Sequence, residues 1–211
     1  LRRIGNMHLP PAFSRKTPRQ LLSAMICGSL FAAGFAFGQA VNPELTWVQR
    51  LSSINSQIQG VAYNGSYFVA VGSDFSLTSS DGQTWTFHGE PPSGLYEVTA
   101  VGTGWVAILG ITPGIGGSPS GLSYASNDGI TWTARGVFGG NGRDVAFNGG
   151  VLVAVATNGL IKRSIDNGVT WEFAASPTGF DVTAVTHGAG MFVAVDVNGN
   201  SLLSADGLFW S

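Results

Sequence analysis

One eight-residue stretch, Ser164-Ile165-Asp166-Asn167-Gly168-Val169-Thr170-Trp171, decides the fold, because variants of it recur along the chain. Three further copies end at Trp85, Trp132 and Trp210, so successive copies are separated by 47, 39 and 39 residues. Trp47 stands 38 residues before Trp85, the tryptophan of the first copy. A repeat of about forty residues is typical of chains built from one recurring supersecondary unit. The sequence therefore predicts a repeat architecture.

The recurring turn has a structural explanation rather than a catalytic one. A carboxylate two residues after Ser can accept backbone N–H groups across a tight turn. The Gly supplies a backbone angle that other residues resist, and the Trp buries a large ring between neighbouring units. We predict this structural role for Ser79, Asp81, Gly82 and Trp85; Ser126, Asp128, Gly129 and Trp132; Ser164, Asp166, Gly168 and Trp171; and Ser204, Asp206, Gly207 and Trp210.

Two apolar segments before each turn predict short β-strands. The segment nearer the turn is an apolar quartet, found at residues 68–71, 105–108, 152–155 and 192–195. Four residues bounded by Gly-rich turns are too few for a helix, and their β-branched content favours a strand. The earlier segments are Val61-Ala62-Tyr63, Val98-Thr99-Ala100, Val145-Ala146-Phe147 and Val182-Thr183-Ala184. Asn64-Gly65 and Asn148-Gly149 between the two segments are strong hairpin signals.

Each unit therefore predicts four short antiparallel strands, the last of which contains the Thr-Trp pair. Four-stranded sheets repeated radially at this period are the signature of a β-propeller. The predicted fold class is all-β, a propeller with about four visible blades. A β-sandwich, the alternative, would not demand one Trp and one Asp turn per forty residues.

The turn resembles the Asp-box, or BNR repeat, of sialidases and related propellers. The resemblance covers most of residues 46–211, and the third copy matches the eight-residue pattern of the family. Copies one, two and four lack the residue between Asp and Gly, and copy four has Phe209 where Thr is usual. The resemblance implies that Asp81, Asp128, Asp166 and Asp206 lie on the blade periphery, away from the ligand face, and are not catalytic.

The expected organisation is a signal peptide at residues 1–40 and a partial propeller at residues 41–211. Sialidase-like propellers usually have six or seven blades, so we expect the chain to be truncated at its C-terminus. Five basic residues precede an uncharged stretch at residues 21–37, and Gly38-Gln39-Ala40 offers small residues for cleavage. These are the three parts of a secretory leader, although a retained membrane anchor is the alternative. Cys27 lies inside the leader, so the mature chain is expected to have no disulfide.

The charge of the chain and the spacing of its acidic and histidine residues argue against nucleic-acid and metal binding. Residues 41–211 contain all 12 acidic residues and five of the ten basic ones, which does not suit nucleic-acid binding. Asp196-Val197-Asn198-Gly199-Asn200 lacks the Gly and Glu of a calcium loop and is interpreted as a turn. His88 and His187 stand in different units, which gives no support for zinc. We therefore predict no metal, no cofactor and no membrane span after cleavage of the leader.

The expected function is that of an exported, non-catalytic scaffold that binds a protein or a glycan. One alternative is a fragment of an exported, sialidase-like glycoside hydrolase whose catalytic arginines lie partly beyond residue 211. The arginines within the expected mature chain are Arg50, Arg135, Arg143 and Arg163. Of these, only Arg143, beside Asp144, is expected near a central channel, and that pair is more simply explained as a solvated ion pair. A second alternative is a propeller similar to photosystem II assembly factors. The long insertion at residues 110–121 is expected to border a binding face.

Overall fold

Four antiparallel sheets make up the described part of the chain. The structure is a computed structural model that describes residues 56–89, 91–110 and 121–211, and the sheets belong to the unit Val48–Ser211. The strands are β1 (Ile58–Tyr63), β2 (Phe68–Gly72), β3 (Phe75–Ser79), β4 (Thr86–Gly89), β5 (Leu95–Val101), β6 (Gly104–Leu109), β7 (Leu122–Ser126), β8 (Thr133–Val137), β9 (Gly142–Asn148), β10 (Val151–Ala156), β11 (Ile161–Ser164), β12 (Glu172–Phe173), β13 (Val182–Gly188), β14 (Met191–Asp196) and β15 (Ser201–Ser204). The all-β prediction is confirmed.

Each sheet is a meander of strands that follow one another in sequence. The first sheet has the order β1-β2-β3-β4, the second β5-β6-β7-β8, the third β9-β10-β11-β12 and the fourth β13-β14-β15. The four predicted apolar quartets form β2, β6, β10 and β14, the second strand of each sheet. Their residues are buried on both faces in the second and third sheets, because each of these sheets lies between two neighbours.

The predicted fourth strand begins after the Thr-Trp pair, two residues later than expected. Trp85, Trp132 and Trp171 each end their turn, and β4, β8 and β12 begin at the following residue. In the fourth sheet, Ser211 takes this place by exchanging two backbone hydrogen bonds with Leu203 of β15, at 2.9 and 3.1 Å. The Trp residue thus belongs to the turn and not to the strand.

Every first strand has a β-bulge at the same place. The extra residues are Gln59, Tyr96, Arg143 and Thr183, in β1, β5, β9 and β13. A bulge increases the local twist of a strand, so its repetition gives the four strands one shape. The register of the fourth sheet differs from the expected one: Val185, not Val182, pairs with Ala194 as Val61 pairs with Ala70. Equating Val182-Thr183-Ala184 with the other three segments was therefore wrong by three residues.

The core consists of the three interfaces between successive sheets. The first strands pack side by side in the order β1, β5, β9, β13. The first interface, between the first and second sheets, contains Val69, Val71, Val98 and Trp105. The second interface joins Val106 and Ile108 to Leu152 and Ala154. The third joins Val153 and Val155 to Val185 and Phe192.

The recurring tryptophans occupy equivalent places in this arrangement. Trp132, Trp171 and Trp210 pack in the first, second and third interfaces respectively, so each ring lies between its own sheet and the preceding one. Trp85 packs against Ala70, Phe75 and Leu77 on the other face of the first sheet. Trp47 and the predicted leader lie outside the described residues.

Candidate functional site

The third turn, Ser164 to Trp171, shows how the Ser-x-Asp sequence closes its loop. The Ser164 hydroxyl donates to Asp166 Oδ1 at 2.8 Å and accepts the backbone N–H of Gly168 at 2.9 Å. Asp166 Oδ1 also accepts the N–H groups of Val169 and Thr170, at 3.1 and 2.9 Å. The hydroxyl and amide of Thr170, which favour the charged carboxylate, lower the pKa of Asp166 to about 2.

The other three turns repeat this pattern with one residue fewer. Oδ1 of Asp81, Asp128 and Asp206 each accepts a bond from the Ser hydroxyl and two from following backbone N–H groups. These backbone bonds lower the pKa of Asp81 and Asp206. At Asp128 burial raises the pKa, but the amides of Thr131 and Ile130 outweigh it and the net shift is downward. All four carboxylates are therefore engaged within their own turns.

The Gly residues of the second, third and fourth turns lie close to the preceding sheet, whereas Gly82 of the first turn lies near Phe68 of its own sheet. Gly82, Gly129, Gly168 and Gly207 have φ angles of 68°, 72°, 82° and 78°, in the left-handed region. A Cβ on Gly129 would lie 2.4 Å from Val69 Cγ2, and one on Gly207 would lie 2.6 Å from Val153 Cγ2. Glycine is therefore required at both positions by backbone angle and by space.

Two carboxylates occupy equivalent positions on the first strands, immediately after the bulges. Asp144 of β9 accepts Val145 N–H at Oδ1 and Val185 N–H at Oδ2, both at 2.7 Å, so it joins β9 to β13. Glu97 of β5 lies against Gly60 of β1, where a Cβ would meet Glu97 Oε1 at 2.6 Å. Burial raises the pKa of Glu97 to about 7, and the charge of Asp144 contributes. Burial also raises the pKa of Asp144.

The structure corrects the interpretation of Arg143 and Asp144 as an ion pair. Arg143 is the bulge residue, and its guanidinium lies 3.6 Å from Asp181 instead. Asp144 instead accepts the backbone N–H of Val185 in β13. The two side chains diverge because a bulge changes the direction of the strand between neighbouring residues.

The remaining candidates from the sequence are held in local contacts. Asp196 accepts bonds from Asn198 N–H, Asn200 N–H, the Asn200 amide and the Thr178 hydroxyl, which form a turn. His88 Nε2 lies 2.9 Å from Thr78 Oγ1, and the His187 ring packs edge-on against Phe192. Residues 111–120 of the predicted binding loop lie outside the described residues. Within the described ranges, His, Cys, Asp and Glu form no group of three that could hold a metal.

A groove of about 480 Å³ opens between the first and second sheets. It is bounded by the β1–β2 turn, the β5–β6 turn and the second Ser-x-Asp turn, and its lining is mostly apolar. Tyr67 and Ile130 line it with 52% and 45% of their surfaces exposed, and Trp105 lines it with 3% exposed. No Lys or Arg belongs to this lining, whereas Asp128 does.

One asparagine holds the two hairpins at the groove together. Asn64 Nδ2 donates to the carbonyl of Thr103 at 2.6 Å, which ties the β1–β2 turn to the β5–β6 turn. Asn64 Oδ1 accepts the N–H groups of Ser66 and Tyr67, at 3.0 and 2.9 Å. The groove is therefore preformed by the backbone of the two turns. Sequence reasoning missed it, because its walls come from different repeats and only folding brings Tyr67 near Ile130.

No helix in the described ranges is long and apolar enough to cross a membrane. No family model matches the chain, and no curated protein matches it.

Solved structures that resemble this chain share its series of sheets. The computationally designed Ika4 protein has 15% sequence identity and a TM-score of 0.54, covering 73% of this chain and 94% of its own. YCF48 bound to D1 peptide has 18% identity and a TM-score of 0.53, covering 78% of this chain and 55% of its own. The GH74 enzyme of Niastella koreensis has 22% identity and a TM-score of 0.51, covering 72% of this chain but only 23% of its own.

These comparisons concern the fold. At identities below 25% they confirm the propeller-type arrangement of four-stranded antiparallel sheets that the sequence predicts. The chain spans about half of the YCF48 chain and about a quarter of the GH74 chain.

Proposed function

We propose that this protein is an exported, non-catalytic propeller scaffold that binds a peptide segment of a partner protein in the groove between its first and second sheets. In this proposal the four Ser-x-Asp turns are Asp-boxes whose carboxylates have a structural role, and the second turn also lines the groove. Their task is to hold each sheet against the preceding one, so that the groove keeps its shape.

The groove is the single observation that supports binding. Its volume of about 480 Å³ falls within the roughly 300–1,000 Å³ range of ligand pockets, which are usually mostly apolar with a few placed polar groups. Tyr67 and Ile130 both offer exposed apolar surface to the groove, while the Asn64–Thr103 bond fixes the position of the β1–β2 turn relative to the β5–β6 turn. A preformed site is favourable because binding then costs little ordering of the protein.

A peptide is the ligand class that the comparisons favour. YCF48, a structural neighbour, has been solved bound to D1 peptide. The acidic surplus of residues 41–211 would draw a neutral or basic segment rather than an acidic one.

A random dodecapeptide display library tests the proposal directly. We expect panning on the immobilised protein to enrich peptides that bind in solution with micromolar affinity. The double variant Tyr67→Ala, Ile130→Ala should weaken them at least about tenfold, because it removes both of these exposed apolar side chains. The matched control is Val169→Ala, since Val169 follows the Gly of the third turn as Ile130 follows that of the second, outside the groove. Failure to enrich any peptide, or enriched peptides that bind the double variant equally, would contradict the proposal.

A second candidate function is glycoside hydrolysis, which the Glu97–Asp144 pair favours. Glycosidases use two carboxyl groups, one of which has a raised pKa and acts as an acid. Glu97 and Asp144 interact electrostatically, and the pKa of Glu97 is about 7. Turnover of any substrate in a panel of fluorogenic glycosides, abolished by Glu97→Gln, would favour this candidate over the scaffold.

A further inference from the structure

The three interfaces between successive sheets use the same two strand positions. One lies on a second strand and faces the following sheet; its residues are fully buried, and they are Val71, Ile108 and Val155. The other lies on a first strand and faces the preceding sheet; its residues are at most 6% exposed, and they are Val98, Val145 and Val185. An apolar residue at either position is therefore buried wherever a neighbouring sheet covers it.

The first and fourth sheets carry the same two positions on faces that no described sheet covers. Val61 pairs with Ala70 as Val98 pairs with Ala107, yet Val61 is 57% exposed. Val195 pairs with Ser201 as Val71 pairs with Ser76, yet Val195 is 40% exposed. Because the residue type is the same, the difference in burial comes from the missing neighbour.

The outer face of the first sheet is rich in aromatic side chains. Tyr63 stacks on Phe68 with ring centroids 4.4 Å apart, and Phe68 lies 6.3 Å from Trp85. Trp85 packs over the small buried cluster of its own sheet. Tyr63 and Phe87 remain about half exposed, so they and Val61 form an apolar surface on this face.

The outer face of the fourth sheet is aliphatic. Met191, Val193 and Val195 alternate along β14, and Leu203 of β15 pairs with Val193. Met191, Val195 and Leu203 are each more than a third exposed. None of these side chains is charged, so a partner that covers this face does not bury an unpaired charge there.

The two outer faces are the two halves of one further interface of the same kind. In the third interface Val155 packs with Val185, and the fourth turn brings Gly207 close to Val153. The first turn has no such contact: a Cβ on Gly82 would have Phe68 of its own sheet as its nearest neighbour, at 3.5 Å. Both faces are exposed in one chain, so they do not cover each other. The surface that fits the fourth sheet is therefore the first sheet of another copy.

We propose that two copies of this chain associate head to tail, with the outer face of each fourth sheet packed on the outer face of the other copy's first sheet. A contact between two different faces forms a ring when the rotation closes. Propellers typically have about four to eight blades. Two copies with four sheets each reach the upper end of this range, and a third copy would exceed it.

Sedimentation velocity of the full chain tests the proposal. We expect a particle of twice the chain mass of 21.9 kDa at micromolar concentration, which dissociates on dilution. Val61→Asp and Val195→Asp each place a charge on one of the two faces, and each should raise the dissociation constant of the dimer at least about tenfold. Val137→Asp is the matched control. Val137 is 60% exposed but belongs to the second sheet, so this change should leave the dimer intact.

Mixing the two variants tests whether unlike faces meet. In a dimer of either variant alone, both contacts contain the new aspartate. In a mixed dimer one of the two contacts joins unaltered faces, so an equimolar mixture of Val61→Asp and Val195→Asp should form more dimer than either variant does alone. If like faces met instead, only one of the two variants would lose the dimer, and the proposal would be wrong.

The remaining outcomes are equally decisive. A parent chain that stays monomeric at about 100 μM would overturn the proposal. A dimer that neither variant weakens would also overturn it, because other residues would then hold the copies together. Thermal melting verifies that the variants are folded. If either aspartate variant does not fold, Tyr63→Ser and Leu203→Ser, which alter exposed residues of the same two faces, replace the pair in both experiments.

Discussion

At the scale of single residues, the Ser-x-Asp carboxylates act on the backbone of their own turns. Each Oδ1 accepts several N–H groups that would otherwise have no partner in a tight loop. Asp166 has the most extensive set, because the extra residue Asn167 brings the Thr170 hydroxyl within reach of Oδ2. The third turn is therefore the best place to measure what the carboxylate contributes.

We predict that Asp166→Ala lowers the melting temperature by several degrees, because the N–H groups of Val169 and Thr170 lose their acceptor. The folded-state pKa of Asp166 is below its ordinary value, so its contribution is present above about pH 4 and is lost as the pH falls towards 2. Melting curves at pH 7 and pH 2 check both parts. Equal melting temperatures of variant and parent at pH 7 would contradict the structural role.

At the scale of elements, the interfaces between sheets differ in how many of their buried polar groups are hydrogen-bonded. In the second interface the Ser123 hydroxyl contacts both the Gly168 carbonyl and Trp171 Nε1–H. At the same positions of the first interface, Ser76 Oγ and Trp132 Nε1 are buried and have no hydrogen-bond partner among the residues that the structure describes. Apolar packing is similar in both, with Val69 and Val71 in one and Val106 and Ile108 in the other. Side-chain hydrogen bonding thus separates interfaces that the hydrophobic pattern makes alike.

We predict that Ser123→Ala and Ser76→Ala have different effects on the free energy of unfolding. Ser123→Ala should cost about 1–3 kcal/mol, because Trp171 Nε1 and the Gly136 and Gly168 backbone lose a shared partner. Ser76→Ala should change stability by less than about 0.5 kcal/mol or increase it, because it removes an unsatisfied hydroxyl. Urea unfolding of the two variants measures the difference, and equal losses would show that Ser76 is satisfied after all.

At the scale of the whole molecule, the first strands of the sheets pack side by side and carry two buried carboxyl groups. Asp144 links β9 to β13 through Val185, and Glu97 lies between β5 and β1 beside Gly60. Both carboxyl groups have raised pKa values, because burial disfavours their charged forms. The pKa values of the turn carboxylates are lowered, whereas those of the carboxyl groups on the first strands are raised. The two sets of carboxyl groups therefore change the stability of the fold in opposite directions as the pH rises.

We predict that the stabilising contribution of Glu97 is full below about pH 4.5 and is lost as the pH rises through 7. The folded state holds the Glu97 proton more tightly than the unfolded chain, in which the pKa is near 4.5, so ionisation favours unfolding. Glu97→Gln should therefore be more stable than the parent at pH 8 and should lose this advantage at pH 4. Denaturant unfolding across this range measures the effect, with the exposed Asp74→Asn as a charge control. A constant difference between Glu97→Gln and the parent would contradict the prediction.

The sequence by itself determined the repeat, the strand order and the turns. These are local features: the Ser-x-Asp spacing sets a hydrogen-bonded loop, Gly permits its positive φ, and the apolar quartets are too short for anything but strands. The starts of the fourth strands were missed by two residues, because the hydrogen bonds of each turn keep the Thr-Trp pair out of the strand. The register of β13 was missed by three residues, because Val182 and Val185 are the same residue type and only pairing with β14 distinguishes them.

Only the tertiary structure decided what lies between the repeats. The groove, the hydrogen bonds of Ser123 and the raised pKa of Glu97 all require residues that are distant in sequence, such as Asn64 and Thr103, to become neighbours. A pattern of residue types reports which side chains are available within one repeat. Burial, unpaired donors and electrostatic coupling arise only when two sheets meet, so they depend on distances that no single repeat encodes.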